Sequence, residues 1–228
     1  MDFLEHIINN QWLGIILHGV LFTLLLLLAQ FLHKKLGVPA DHTRKLVHFG
    51  VGAICVLSPF NFTNHWIILS SVILFVLFIL LTRKKGGLSS VHNAKFQSMG
   101  DLLLPVVIYL NFLLYAYYGF NKIYSLPLII LSISDPAAFY GGFFFHKNGK
   151  SFAGFLFFAI TAFVSAWITL SIFADFGYGT IWTISLLTAI LGATVEYYSK
   201  KGWDNFTVPL MVAIILVIHT EFIANGIS

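Results

Sequence analysis

The chain has 228 residues, of which 58% are hydrophobic and only 10% are charged, and its mean hydropathy is +0.88. The surface of a soluble globular domain carries far more charge, so this composition excludes that class and indicates a polytopic membrane protein. The net charge of +4 does not indicate a nucleic-acid partner, because no basic segment is interleaved with aromatic residues as in single-strand binders.

Apolar runs long enough to cross a hydrocarbon core of about 30 Å as helices recur along the whole chain. They predict an all-α fold of eight transmembrane helices, with seven or nine as alternatives because the fifth run contains Asp135 and Pro136 and the second is short. Residues 1–228 are predicted to form a single membrane domain, since no long linker interrupts them. The predicted helices lie near residues 12–32, 46–60, 66–82, 101–118, 124–145, 152–174, 180–198 and 207–223.

The basic residues predict the orientation, because short translocated loops are depleted of Lys and Arg. With the N-terminus outside, twelve of the 13 basic residues lie on the cytoplasmic side, and only Lys122 lies on the other. A wrong helix count would break this segregation, so it supports both the count and the orientation. Four polar segments then share the cytoplasmic face, where their convergence would form a charged pocket: residues 41–50, 83–101, 134–151 and 195–209.

The segment DHTRKLVHFG, residues 41–50, places cations and an imidazole on one helical face. Arg44 and His48 are spaced i, i+4, and Lys45 and His48 are spaced i, i+3. One interpretation is a juxtamembrane anchor for anionic lipid head groups. The alternative is a functional site, because an imidazole within an apolar helix favours a polar partner.

Asp135 lies well inside an apolar run, where a charge costs about 2.5 to 3.5 kcal/mol on insertion scales. Pro136 disfavours a regular helix at the preceding residue, so we expect a broken helix that lines a wet cavity. A carboxylate there would suit Mg²⁺ carrying the phosphates of a nucleotide. The structural alternative is a buried salt bridge from Asp135 to a lysine or arginine on another helix.

Two further segments carry candidate site residues. Lys150 and Ser151 precede the sixth predicted helix, where free backbone N–H groups favour phosphate, although an ordinary N-cap explains them equally well. In VEYYSKKGWDNFTVP, residues 195–209, Asp204 with Asn205 would cap the eighth helix, but capping does not explain the remaining charges. Two lysines between two carboxylates would balance a metal-bound polyphosphate: Glu196, Lys200, Lys201 and Asp204.

Together these segments resemble the dolichol kinase and phytol kinase family, the CTP-dependent lipid-alcohol kinases, which are more distantly related to phosphatidate cytidylyltransferases. Residues 44–48 are similar to the family's R-K-x-x-H motif, and residues 100–105 to its G-x-x-x-x-P element. Residues 135–154 are similar to its nucleotide segment. Residues 196–209 match the E-x-x-x-x-x-G-x-D-N-x-x-V-P signature, which is the most specific of the four.

The resemblance implies transfer of the γ-phosphate of CTP, with Mg²⁺, to a lipid alcohol such as phytol, a polyprenol or diacylglycerol. It implies a multi-pass protein of the cell membrane whose site faces the cytoplasm. Asp135 and Glu196 would hold metal, Asp204 would complete the metal or base constellation, and His48 would be a base for the hydroxyl. The other residues would contact nucleotide or line the same pocket: Arg44, Lys45, Lys150, Ser151, Lys200, Lys201 and Asn205.

Three departures from the family pattern keep other functions open. Ser134 replaces a glycine, residues 142–147 lack the usual arginine, and Ala153 replaces a glutamate. One alternative is an enzyme like phosphatidate cytidylyltransferase, in which a lipid phosphate attacks the α-phosphate of CTP. The other is a lipid-binding or transport protein without catalysis.

Overall fold

The computed structural model describes residues 10–84, 90, 99–119, 121–145, 150–174 and 176–224. Within these ranges nearly every residue is helical and no strand occurs, which confirms the all-α prediction. The helices of these ranges are α1 (Gln11–Leu36), α2 (Ala40–Cys55), α3 (Ser58–Asn61), α4 (His65–Lys84), α5 (Gly100–Tyr118), α6 (Asn121–Phe145), α7 (Phe152–Phe173), α8 (Tyr178–Tyr198) and α9 (Asp204–Ala224).

Seven of these helices, α1 and α4 to α9, are long and apolar enough to cross a membrane. The shorter α2 continues through α3, and together they run antiparallel to α1. At one end Thr43 donates to the carbonyl of Ser90, whose hydroxyl donates to Gln30. At the other end Ser58 lies 3.4 Å from the Nε2 of His18. Among the described residues, seven helices are therefore able to span a membrane, which lies within the predicted range of seven to nine, and the shorter α2 packs beside α1.

The second predicted helix differs in its bounds from α2 and α3. Prediction placed it near residues 46–60, but α2 begins at Ala40. Pro39 stands at the N-cap with φ of −57° and ψ of 143°, and its carbonyl accepts the N–H groups of His42 and Thr43. Helix geometry is therefore set by the proline before the apolar run begins. As a consequence, the cations and the imidazole of this segment lie on one continuous helix.

The predicted break at Asp135 is wrong, because α6 is continuous through Pro136. Close packing against α2 explains why the helix persists without the missing hydrogen bond. Gly52 of α2 lies so near α6 that a Cβ at this position would collide with the hydroxyl of Ser132. Ser132 is also the residue whose carbonyl the missing N–H of position 136 would have bonded.

Helix α6 forms the centre of the bundle and packs against α2, α5, α7 and α9. Its side chains are buried along most of its length, including Tyr124 and Leu128, which have no exposed surface. By contrast, α1 and α4 lie at the periphery and expose large apolar side chains such as Leu24 and Leu81. Helices that expose many large apolar side chains are expected to face lipid rather than water.

One end of the bundle, which we call the basic end, contains the last residues of α1, α4, α6 and α8 and the first residues of α2, α5, α7 and α9. Arg83 and Asp101 form an ion pair there, and the N–H of Met99 donates to the carbonyl of Lys201 at 2.9 Å. The described residues follow the predicted charge segregation, since Lys122 lies at the opposite end. Lys85, Lys95 and Lys147 lie outside the described residues. The basic end carries Lys34, Lys35, Arg44, Lys45, Arg83, Lys150, Lys200 and Lys201.

Candidate active site

Asp135 of α6 is paired with a cation on another helix. Its side chain is buried, with 3% of the residue exposed, and its Oδ2 accepts a hydrogen bond from the Nζ of Lys45 at 2.6 Å. The predicted salt bridge is therefore present. A buried ion pair contributes little net stability, because desolvation of both charges offsets their attraction. The pair by itself does not explain why a carboxylate lies at this depth.

Asp135 belongs to a cluster of three carboxylates, which we call the acidic cluster. Asp135, Glu196 and Asp204 each place one carboxylate oxygen within 4.8 Å of the others. Glu196 is buried near the end of α8, and Asp204 begins α9. Gly202, with φ of +84°, makes the turn that brings these two helix ends together. Three like charges at this spacing repel one another and require cations nearby.

Lys150 lies across the other two members of the cluster. Its Nζ donates to Oε1 of Glu196 at 2.6 Å, to Oδ2 of Asp204 at 3.2 Å and to the backbone carbonyl of Glu196. Partial burial by itself lowers the pKa of Lys150, but the carboxylates of Asp204 and Glu196 raise this pKa above its ordinary value. Lys150 is therefore a stable cation at neutral pH.

The acidic cluster fits a divalent cation. Its three carboxylates contact two ammonium groups, those of Lys45 and Lys150, so one negative charge of this group is not balanced. Its donors toward a metal are all oxygens, which Mg²⁺ prefers, and Mg²⁺ takes one or two carboxylates together with phosphate or water oxygens.

His48 lies beside the acidic cluster and has a ring nitrogen without a hydrogen-bond partner among the described residues. It lies one turn after Lys45 on α2, and only 8% of the residue is exposed. Its Nε2 is buried and has no hydrogen-bond partner among the described residues. Buried polar atoms are nearly always hydrogen-bonded, so an imidazole nitrogen of this kind is a candidate to bind a substrate hydroxyl.

Ser151 has the structural role that the sequence had offered as an alternative, and Asn205 contacts Asp204 through its backbone. The Oγ of Ser151 accepts the N–H of Gly154 at 3.1 Å, which confirms an N-cap for α7. Asn205 is buried, and its N–H donates to Oδ1 of Asp204 at 3.1 Å. Their contacts to nucleotide remain predictions.

The remaining basic candidates lie on α2 and in the loop between α8 and α9. Lys200 and Lys201 lie in the loop between α8 and α9, and Lys201 has a left-handed φ of +54°. Arg44 is partly exposed on α2. In the sequence Lys200 and Lys201 lie between two carboxylates, but in the structure Lys150 occupies that place. The predicted nucleotide contacts of these three residues remain untested.

Sequence reasoning missed an aromatic wall beside Lys45. The Nδ1 of His42 lies 3.3 Å from the hydroxyl of Tyr140, and the His42 ring also packs against Phe139 and Phe143. The Nζ of Lys45 lies 5.6 Å from the centre of the Phe139 ring. The only sequence signal for this wall is the helical spacing of the three aromatic residues on α6.

Comparison with known proteins supports a relation to lipid-alcohol kinases. The chain is 24% identical over 212 residues to a phytol kinase of a Synechocystis species, and the alignment covers 90% of each protein. It is also 28% identical over 138 residues to an uncharacterized protein of Rickettsia prowazekii, covering 58% of this chain and 60% of that protein. No family model and no solved structure matches the chain.

Proposed function

We propose that this protein is a membrane-embedded kinase that transfers the γ-phosphate of CTP to the hydroxyl of a lipid alcohol. The observation that carries the proposal is the acidic cluster at one end of an apolar helical bundle. Its carboxylates form ion pairs with Lys45 and Lys150. Similarity to a phytol kinase along 90% of the chain supports the same class of reaction. The resemblance of residues 135–154 and 196–209 to the motifs of CTP-dependent lipid-alcohol kinases supports CTP as the donor.

Phosphoryl transfer requires positioning and charge compensation more than covalent chemistry. Asp135, Glu196 and Asp204 would hold Mg²⁺, which when bound neutralises charge on the phosphate oxygens. Lys45 and Lys150 would turn from the carboxylates to the phosphates, because an ammonium group donates to either type of oxygen. The bound metal would then balance the negative charge of the carboxylates in place of the two ammonium groups.

The Nε2 of His48, which has no hydrogen-bond partner among the described residues, would receive the proton of the substrate hydroxyl. The hydroxyl oxygen attacks the γ-phosphorus, the bond from this phosphorus to the β–γ bridging oxygen breaks, and CDP leaves with the electron pair. The hydroxyl proton passes to Nε2 of His48 in the tautomer that leaves this nitrogen unprotonated. In a loose transition state the attacking alcohol needs only modest help from a base.

The proposed site faces the cytoplasm, where CTP is present. The clustering of basic residues at one end of the bundle supports this orientation, because cytoplasmic segments are enriched in Lys and Arg. The same arrangement places the reacting groups near lipid head groups, so the alcohol hydroxyl and the nucleotide approach the acidic cluster from different environments.

Labelled CTP tests the proposal and separates it from its alternatives. Purified protein in detergent with Mg²⁺ is given CTP labelled at the α- or the γ-phosphate, together with phytol, a polyprenol, diacylglycerol or phosphatidate. Label from the γ-position in lipid supports the kinase. Label from the α-position in lipid would instead identify a cytidylyltransferase, and no labelled lipid from folded protein would favour a non-catalytic lipid-binding protein.

A further inference from the structure

An apolar cavity of about 330 Å³ lies between α1, α2, α4 and α5. The described residues of its lining include no Asp, Glu, Lys or Arg, and the polar ones among them are His18, Ser58 and Ser71. Both ring nitrogens of His18 already have hydrogen-bond partners. Its Nδ1 lies 2.9 Å from the carbonyl of Gly14, and its Nε2 lies 3.4 Å from the hydroxyl of Ser58. A cavity of this character accommodates hydrocarbon rather than a polar solute.

The cavity opens sideways, toward the lipid. Four of its lining residues are exposed at the surface of the bundle: Ile15 and Gly19 on α1, and Ser71 and Leu74 on α4. Next to this opening the rings of Phe22 and Phe75 join α1 to α4, with centroids 6.1 Å apart. Because the outer faces of both helices are apolar, a hydrocarbon chain passes from the bilayer into the cavity without crossing water.

Helix α2 connects the lining of the cavity to the acidic cluster. His48, Val51 and Cys55 are spaced i, i+3 and i+7 and therefore share one face of α2. Val51 and Cys55 line the cavity, and Val51 is one turn, or about 5 Å along the axis, from His48. Along α2, His48 thus lies between Val51, which lines the cavity, and Lys45, which pairs with Asp135.

The shape of the cavity suits a single chain. Its lining runs from Ile15 to Phe22 on α1 and from Ile68 to Phe75 on α4, which corresponds to about 10 Å along each helix. A slot of this length holds the part of one flexible chain next to the head group. Two acyl chains attached to one glycerol would have to share it.

We propose that this cavity binds the hydrocarbon chain of the substrate alcohol, with the hydroxyl at Nε2 of His48 and the distal chain leaving through the opening at Gly19. The proposal rests on the proposed kinase function. It has one consequence for specificity: alcohols with a single chain bind better than diacylglycerol.

Gly19 and Gly179 provide a matched pair of variants. A Cβ at either position meets no atom within 4 Å, and in both cases the glycine carbonyl accepts a hydroxyl hydrogen bond from a threonine four residues later. Gly19→Phe places a ring in the opening of the cavity, whereas Gly179→Phe places the same ring on α8, away from it. Ser71→Leu is a second cavity variant, for use if Gly19→Phe is not monodisperse in detergent.

Binding is measured without nucleotide, using a farnesol analogue that carries a photoreactive diazirine, in competition with phytol. Labelled peptides are mapped by mass spectrometry on the full chain. We expect labelling in residues 15–22 and 68–75, a loss of at least about tenfold in apparent affinity in Gly19→Phe, and no change in Gly179→Phe. Labelling elsewhere, or labelling unaffected by both cavity variants, would overturn the cavity as the chain site.

The labelled-CTP assay distinguishes the failure of this inference from the failure of the proposed function. If γ-phosphate is transferred but the probe maps outside the cavity, the kinase stands and the cavity assignment is wrong. If the probe maps to the cavity and Gly19→Phe removes it, but no phosphate is transferred, the cavity is a lipid site and the kinase proposal is overturned. If Gly19→Phe lowers kcat/KM for phytol and Gly179→Phe does not, both are supported.

Discussion

Lys45 and Asp135 are 90 residues apart in the chain, yet the lysine Nζ lies 2.6 Å from the carboxylate Oδ2. This contact joins α2 to the central helix α6. Lys150 makes the corresponding contacts to Glu196 and Asp204, which join the start of α7 to α8 and α9. The acidic cluster is therefore paired with cations from two independent segments.

Asp135→Asn should abolish phosphate transfer while the protein remains folded. The amide keeps the shape of the side chain but removes the charge that would hold the metal, so we expect a loss of at least about a hundredfold in kcat/KM. Transfer of γ-label to phytol is the readout, with gel filtration in detergent as the test of folding. Asp101→Asn is the control, because it removes a paired carboxylate at the same end of the bundle but outside the acidic cluster. Substantial activity in Asp135→Asn would remove this residue from the site.

A double variant separates a structural role of the ion pair from a functional one. Lys45→Met leaves the Asp135 carboxylate buried and unpaired, which should lower the free energy of unfolding by about 3 to 5 kcal/mol. The double variant Lys45→Met/Asp135→Leu should recover much of this loss, because no charge remains. Thermal unfolding in detergent reports the recovery. If the recovered double variant also transfers phosphate, the pair is only structural.

The stability that Lys150 contributes should disappear at alkaline pH. Because the folded-state pKa of Lys150 is raised, this contribution is fully present below the ordinary value of 10.5 and is lost as pH rises through the folded value. The difference in Tm between the unmodified protein and Lys150→Met should therefore be constant from neutral pH to about pH 9 and shrink above about pH 10.5. The exposed Lys200, replaced in Lys200→Met, serves as control, and a difference that vanishes near neutral pH would contradict the pairing.

Two substitutions of Ser151 distinguish a helix cap from a phosphate ligand. Ser151→Ala removes the cap of α7 and should cost about 0.5 to 2 kcal/mol in stability. Ser151→Asp retains a good capping residue but adds a negative charge where phosphate is predicted to bind. We expect Ser151→Asp to have nearly unchanged thermal stability and a raised KM for CTP. An unchanged KM in this variant would leave Ser151 as a cap alone.

The orientation of the bundle is testable with two single cysteines in a Cys55→Ser background. Lys200→Cys lies at the basic end, whereas Gly177→Cys lies at the opposite end, where a Cβ meets no atom within 4 Å. A membrane-impermeant maleimide added to intact cells should label position 177, and position 200 should react only after permeabilisation. The reverse pattern would place the acidic cluster outside and exclude access to cytoplasmic CTP.

Much of the fold was predictable because its determinants are local along the chain. Helix α8 was expected at residues 180–198 and extends over Tyr178–Tyr198. A long apolar run must form a helix in a bilayer, since its backbone groups have no other hydrogen-bond partners there. The errors occurred at prolines, at the start of α2 after Pro39 and within α6 at Pro136, because neighbouring helices decide whether a proline starts, breaks or merely interrupts a helix.

The sequence identified the charged residues of the candidate site but not which of them contact one another. Asp135 and Glu196 were identifiable because charges are costly among apolar residues. Nothing in the sequence indicated that Lys150, rather than Lys200, would contact Glu196, since 46 residues separate that pair. A lysine beside a carboxylate in the chain has its side chain directed by the local backbone, whereas a lysine on another helix meets the carboxylate only after packing.

By itself the sequence determined the helical class, the approximate number of membrane-spanning helices and the concentration of cations at one end, because hydrophobic length and charge distribution are properties of single segments. Only the tertiary structure decided which cation contacts which carboxylate, which imidazole nitrogen is left without a partner and where an apolar cavity opens to the lipid. These features depend on the close approach of helices distant in the chain, such as that of Gly52 to Ser132, and such contacts leave no periodic signature in the sequence.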